Sequence, residues 1–341
     1  MTVNLKQLSN MLSLSQTTVS RALNGYPEVS EETRARVRDA AKRHNYRPNP
    51  SARQLATGKA GMIGHVLPTG ESVDIDPHFV EFLSGLGDYA RANGLDLVLS
   101  PALRDEEEAT YRRIVAHRQV DAVYLSAPRP EDRRVALLHE LGIPYLVHGR
   151  SEGLGFSYPF LDIDNEGAFH DAAGRLLALG HRRIGLLNGD RGETFAIHRE
   201  RGVFRALREA GIAPDPGLVR SLAMTEENGF RAALDLLDRP ERPTAILCSS
   251  LLMSLGVVRA AGERGLSIPH DLSLVAHDDV FPWLKPGNFP VALSTTESSI
   301  RQAGARVAER LAQRIAGATE RQPQEVWPIA FRERGSMRGV G

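Results

Sequence analysis

A chain of 341 residues with one cysteine, Cys248, has no second thiol for an internal disulfide. It also lacks any uncharged apolar run approaching the roughly 18 residues that a membrane-spanning helix needs, which excludes an integral helical membrane protein. The opening MTVNLKQLSNMLSLS is polar where a secretory leader would be apolar, so the cytoplasm is the expected compartment. Enzyme signatures are missing too. There is no GxxxxGK[ST] phosphate loop, no HExxH metal pair and no GxSxG nucleophile elbow, so no catalytic residue, metal or cofactor is expected. Glu106 to Glu108 reads as favourable charge at a helix start, GLGDYA from Gly85 as helix rather than dinucleotide loop, and Cys248 as a packed thiol. Charged residues at 25% and apolar residues at 42% exclude wholesale disorder, and the length suits two or three domains.

The chain has no net charge, but the balance is uneven. Residues 1–60 carry ten basic groups against four acidic ones, a net of +6, so the other 281 residues carry −6. A basic head on an acidic body points to a polyanionic partner for the head, with a solvated helix surface as the plainer alternative. Leu5, Leu8, Met11 and Leu12 lie on one helical face; a tight connection at Ser13 and Leu14 leads to a second helix from about Ser15 to Leu23, which Gly25 can close. Ser30 as N-cap, Glu31 and Glu32 in a first turn, and Lys42 and Arg43 in a last turn mark a third helix. Pro48 and Pro50 then interrupt the chain before SARQLATGK, a hinge-like segment.

From Met62 onward, short apolar runs alternate with segments of helix length. Strands are expected at MIGHVLP, LDLVLS, DAVYLSA, PYLVHG, RIGLLNG, TAILCSS and LSLVAHDD. Helices are expected over 78–93, 105–119, 165–179, 198–210, 226–237 and 251–264. This is the pattern of parallel, helix-covered, doubly wound α/β sheets. A break over 156–164, where the pattern restarts, predicts two similar lobes with a ligand cleft at the C-terminal ends of the strands.

LSLSQTTVSRALNGYPEVS, from Leu12 to Ser30, fits a helix-turn-helix whose second helix can enter a major groove. Val19 and Leu23 would face the small core while Gln16, Thr17 and Arg21 point outward. Arginine can contact guanine O6 and N7, and glutamine can pair with adenine; Ser15, Thr18 and Ser20 better suit phosphates or capping. A structural helical hairpin is the alternative these residues leave open.

TTVSRALNGYPEVSEETRARVRDAAKRHNYRPNPSARQLATGKAGMIGHVLP closely resembles the N-terminal module of the LacI/GalR family of bacterial regulators. The likeness continues through LALGHRRIGLLNG, HRERGVFRALREAG, SIPHDLSLVAHDD and the terminal FRERGS, and so covers nearly the whole chain. It implies a small all-α head (1–47), a hinge helix or linker (48–60) and a two-lobed body like a periplasmic binding protein (61–341). The lobes would comprise about 61–160 with 294–321, and about 161–293 with 322–341. In the head, Gln16 and Thr17 match positions that vary with operator sequence, Arg21 matches a base-contacting arginine, and Asn24 a position near the DNA backbone. Leu55 matches a leucine that wedges into the minor groove and bends the duplex; a linker residue packed on the body is its alternative.

In the body, Arg199 matches the family's effector-binding arginine, its alternative being a surface ion pair with Glu200 or Glu193. Asp278 and Asp164 match carboxylates that accept ligand hydroxyl protons, and either can instead cap the following segment. Phe79 sits where family members place a ligand-contacting side chain, with packing against the strand as its alternative; His78 and Trp283 are weaker candidates, whose alternatives are a satisfied surface or core group and a loop anchor. Ser250 and Leu251 stand where many members have Asn-Asp, a departure that leaves more room and favours a disaccharide over a small charged ligand. The opening residues and DPHFVEFLSGL also look like those of regulators of alpha-glucoside uptake.

The function these features imply is a sequence-specific transcriptional repressor of carbohydrate genes. It would be a homodimer on a near-palindromic duplex operator, with affinity changed by a sugar between the lobes. The terminal GSMRGVG lacks the leucine heptads of a tetramerising tail, which favours a dimer. A soluble sugar-binding protein with no DNA role, or a member that needs a corepressor, are the alternatives.

Overall fold

The computed structural model describes residues 3–23, 25–46, 58–69, 76–317 and 323–340. Asn24, Leu55 and most of the expected hinge lie outside them. The chain divides into two units, Met1–Gly61 and Met62–Gly341.

Among the described residues the first unit holds three helices, α1 (Leu5–Leu12), α2 (Gln16–Leu23) and α3 (Glu31–Arg43). Asn4 caps α1 in a reciprocal box with Gln7, which satisfies two otherwise orphaned amides. Ser13 takes the left-handed conformation, φ 56°, and lets the chain turn sharply into α2. Ser30 accepts from the Thr33 amide at the start of α3, and the acidic first turn and basic last turn stand as expected. Leu8, Val19, Ala22, Val29, Val37, Ala40 and Ala41 form the core, with Leu5, Leu12 and Leu23 at its margin. Met11, expected on the buried face of α1, is instead exposed, because the stripe covered by so small a core is narrower than four residues.

The second unit contains two six-stranded sheets. Its strands are β1 (Met62–Pro68), β2 (Asp96–Ala102), β3 (Ala122–Leu125), β4 (Tyr145–His148), β5 (Phe160–Ile163), β6 (Ile184–Asn188), β7 (Val219–Ser221), β8 (Ala245–Cys248), β9 (Ser273–Asp278), β10 (Ser294–Glu297), β11 (Gln324–Trp327) and β12 (Ala330–Arg332). Its helices are α4 (Pro77–Ala92), α5 (Glu107–Ala116), α6 (Arg133–Leu141), α7 (Asn165–Ala178), α8 (Thr194–Glu209), α9 (Glu226–Leu237), α10 (Leu251–Glu263) and α11 (Ile300–Ile315). The first sheet runs β11-β5-β4-β3-β1-β2 and the second β12-β10-β9-β8-β6-β7. Every recorded pairing is parallel except that of β12 with β10. Parallel strands need crossovers, and the helices supply them and cover both faces.

The expected α/β lobes are present, with different crossing points. The segment read as a break contains β5, which joins the first sheet. The chain crosses to the second sheet after Ile163, returns after Glu297, and crosses finally after Trp327. Residues 294–297 therefore belong to the second lobe and 324–327 to the first, the reverse of the expected assignment. These strands are only three or four residues long, and QEVW and STTE are polar, so they carry little hydrophobic signal. Helix α8 also begins at Thr194, one turn before the expected His198.

Bare glycine surfaces set the helix packing. A Cβ on Gly85 of α4 would overlap the Arg301 carbonyl of α11, and one on Gly304 the Phe82 carbonyl. Gly202 of α8 meets Glu166 of α7 in the same way, and Gly229 and Gly256 lock α9 to α10. Because α11 is the return segment from the second lobe, its seating on α4 fixes one of the three crossovers. Gly304→Ala should cost about 1–3 kcal/mol by overpacking against backbone that cannot yield, read as a lower urea midpoint at unchanged m-value.

Candidate functional site

Two regions present functional side chains. On α2, Val19 and Ala22 are buried while Gln16, Thr17 and Arg21 are exposed, so one eight-residue helix divides into a core face and a free face. Ser15 caps it: its Oγ accepts from the Thr18 amide at 3.0 Å and bonds Thr18 Oγ1 at 2.8 Å. Ser15 and Thr18 are thus partly committed to the helix start, and Ser20 is half-buried.

The second region is a cavity in the body, about 990 Å3 including the space open at its mouth. It lies where the C-terminal ends of β3, β4 and β5 face the start of α8 and the segments after β9 and β10. Phe79, Phe82, His148, Phe195, Met224 and Ile300 give it apolar walls; Asp162, Asn165, Glu193, Arg199 and Asp279 give it polar ones. His148 stacks on Phe82 with centroids 4.5 Å apart, and burial pushes it down to about 4, so it is neutral. The loop after β3 is held from below by Arg134, which pairs with Asp132 at 2.7 Å and Glu107 at 2.8 Å and donates to the Ala127 carbonyl. Glu107 is therefore not only a helix-dipole residue.

Arg199 is 4% exposed. It donates from Nε to Asn165 Oδ1 at 2.8 Å and from Nη1 to the Ser249 carbonyl at 2.7 Å, between the rings of Phe169 and Phe195. Burial pulls its pKa down to about 10 against the charges of Asp279 and Asp162, which leaves the guanidinium protonated at neutral pH. Neither Glu200 nor Glu193 is its partner; Glu200 lies 3.9 Å from Arg191.

Phe79, His78 and Arg199 line the cavity, whereas Asp164, Ser250, Asp278 and Trp283 are not among its lining residues. Asp164 is exposed and caps α7 through the Gly167 amide at 2.9 Å. Asp278 Oδ1 accepts from the Val280 amide at 2.7 Å, and its neighbour Asp279 turns to the cavity. Ser250 is fully buried and caps α10, and Leu251 packs in the core. The room expected from the short Ser250 side chain holds His78, whose Nε2 lies 3.1 Å from Ser250 Oγ. Trp283 is 55% exposed and stacks on Phe281.

Sequence reasoning missed Asp162, Asn165, Glu193, Phe195 and Asp279. Asp162 lies two residues before Asp164, and alternation would put both on one face had the strand not ended at Ile163. Asp162 Oδ2 and Asp279 Oδ2 are buried without a hydrogen-bond donor, and ion pairs with Arg150 at 3.5 Å and His78 at 3.2 Å serve them instead.

The head and body both match known proteins. Residues 13–49 match the family model for bacterial regulatory proteins of the lacI family, and residues 173–337 that for a periplasmic binding protein-like domain. The transcriptional regulator AglR of Rhizobium meliloti strain 1021 is 53% identical over 327 residues, spanning 96% of this chain and 92% of that one. The chain belongs to the LacI family of bacterial transcriptional regulators. The regulator RafR of Escherichia coli is 33% identical across 96% of this chain and 97% of its own. Among solved structures of the family, a regulator CelR in complex with cellobiose is 27% identical, with a TM-score of 0.71 over 98% of this chain and 99% of that one. The lac repressor bound to ONPG in its repressed state is 25% identical, with a TM-score of 0.81 over 98% and 100%. Among the described residues no helix is long and apolar enough to cross a membrane.

Glu193, at the start of α8, provides a pH test of the site. Burial, then the charges of Asp190 and Asp76, raise its carboxyl to about 7, against Arg104 and Arg129. The fold favours the neutral form, so this stability is full below the unfolded value near 4.5 and is lost as pH rises through 7. Between pH 5 and 8 the wild type should lose about 1–2 kcal/mol relative to Glu193→Gln, after discounting for a half-buried group. Urea titrations at the two pH values check this; a constant difference contradicts it.

Proposed function

We propose that this LacI-family chain is a homodimeric repressor whose heads read a near-palindromic operator and whose body binds a neutral sugar, of disaccharide size, that changes operator affinity. In this reading Gln16, Thr17 and Arg21 contact base edges, Ser15, Thr18 and Ser20 serve phosphates or the helix cap, and Asn24 and Leu55 act as the family resemblance implies. Two tethered heads engage adjacent half-sites at high effective concentration, which a single small head does not achieve.

The observation that carries the sugar half is a buried, charged Arg199 with Asn165, Asp162 and Asp279 around a cavity walled by Phe79, Phe82 and Phe195. Hydroxyls need both donors and acceptors at close range, and the C–H faces of a pyranose pack on aromatic rings. The disaccharide size is taken from a solved relative and not from the dimensions of the cavity. Cellobiose in the CelR structure is a ligand of this size. Arg199, Phe79 and Asp279 are the residues we assign to the effector. Asp164 and Asp278, with their caps and turns to hold, are left out, and Ser250 acts through His78. Nothing in the cavity suits nucleophilic catalysis at Cys248, which is fully buried at the end of β8 with its thiol pushed up to about 12 by burial.

The test uses duplexes selected from a random library by the full-length chain, and calorimetry against maltose, trehalose, sucrose and cellobiose. Arg21→Ala should weaken binding to the selected duplex by about 1–3 kcal/mol and flatten its base preference; unchanged affinity removes Arg21 from the reading set. Arg199→Gln should weaken the sugar that binds wild type by at least about tenfold, the value of a charge-assisted hydrogen bond. Binding of none of these sugars by the wild type would overturn the sugar assignment. A sugar that raises operator affinity would make it a corepressor.

A further inference from the structure

His78 stands in the first turn of α4, in the first lobe, yet most of what surrounds its ring belongs to the second. Nε2 lies 3.1 Å from Ser250 Oγ at the head of α10 and 3.2 Å from Asp279 Oδ2 after β9, and the ring meets Phe281 edge-on at 5.1 Å. On the other side Nδ1 lies 2.9 Å from Asp76 Oδ1, the carboxylate that also caps α4. The residue is 6% exposed.

We propose that His78 is a latch across the cleft: a side chain of the first lobe seated in a Ser250, Asp279 and Phe281 socket of the second, holding the two lobes together.

Three features make this seat a device and not incidental packing. The first is charge. Burial alone would pull the imidazole down, but the Asp279 and Asp76 carboxylates outweigh it and raise it to about 10. Both ring nitrogens therefore carry protons, Nδ1 donating to Asp76 and Nε2 to Ser250 Oγ, with the Asp279 carboxylate an ion-pair partner at 3.2 Å. Asp279 is held low by the same pair, with His277 and Arg199 adding to it. The second is fit. Ser250 caps its own helix and leaves space for an imidazole, whereas a longer side chain there would fill the socket. The third is position. Asp279 serves the latch and the cavity at once, so a ligand hydroxyl that bonds this carboxylate competes directly with His78.

Other cross-lobe bonds are weaker candidates for this role. Glu152 meets Arg201 at 3.0 Å and His198 at 2.9 Å, but Glu152 and Arg201 are each about two-fifths exposed and screened by water. Thr194 donates to the Pro128 carbonyl without charge. The consequence for regulation rests on the sugar reading above. The latch itself does not, and its test contains no sugar, so the two fail separately.

The experiment measures the distance between spin labels at Arg112→Cys on α5 and Arg231→Cys on α9, one on each lobe, in full-length ligand-free protein. Cys248 is buried and takes no label. Labelled chain is diluted into excess unlabelled chain so that at most one labelled copy is present per assembly. With His78 intact, a single narrow distance is expected, unchanged from pH 6 to 8.5. His78→Ala and Ser250→Ala should each shift it by at least about 3 Å or add a second population, and the double variant should move it no further than either alone. Circular dichroism confirms that each variant is folded; if His78→Ala does not fold, the Ser250→Ala result decides. A wild-type distribution in a folded variant overturns the latch. So does a wild-type distance that changes with a midpoint near 6.5, the behaviour of an ordinary imidazole.

Discussion

A guanidinium removed from water must be answered by fixed oxygens, and the body of this protein is arranged around that requirement at Arg199. Its partners come from three stretches of chain: Asp162 and Asn165 where β5 leads into α7, the Ser249 carbonyl beyond β8, and the charge of Asp279 beyond β9. They converge only because two parallel sheets place the C-terminal ends of their strands toward one cleft, and because the chain crosses between the sheets three times. A buried charge of this kind is costly as stability and useful as recognition. A polyhydroxylated ligand that enters the cleft meets a donor already desolvated, with acceptors on either side.

The head solves a different problem with similar economy. Helix α2 has eight residues, of which Val19 and Ala22 are committed to the core while Gln16, Thr17 and Arg21 are exposed. In the function proposed, the same division separates the residues that hold the helix from those that would read DNA. The body carries no such separation. Asp279 and Ser250 both take part in closing the lobes, and a ligand contact at Asp279 is therefore also a conformational event. Binding that differs between two conformations is the physical requirement for coupling one site to another.

Much of the architecture was legible from local pattern. The Ser30 cap, the acidic and basic ends of α3 and the apolar runs of β1, β3, β6, β8 and β9 all follow from residue chemistry within a few positions. What escaped depends on contacts far apart in sequence. β5, β10 and β11 are too short to show a strand period, and β10 and β11 are polar besides, so the lobe boundaries were displaced. The carboxylates that line the cavity lie a small step from those expected there: Asp279 beside Asp278, and Asp162 two residues before Asp164. In each case the strand ends or turns at that point, and a local turn or cap claims the carboxylate that alternation would have assigned to the ligand. His78 had no distinguishing local signal, because its importance lies in Ser250 and Asp279, some 170 and 200 positions away. Ser250 was legible as a departure from the family pattern, but the space it leaves is filled by the protein itself.

In the function proposed, occupancy of the cleft and grip on DNA are one linked equilibrium in a single chain. Its most direct test is a pair of calorimetric titrations of the full-length protein with the sugar that binds it, one in free solution and one saturated with its selected duplex. Sugar affinity is expected to change by the same factor by which that sugar changes duplex affinity, as reciprocity requires. Identical sugar affinities in the two titrations would contradict it.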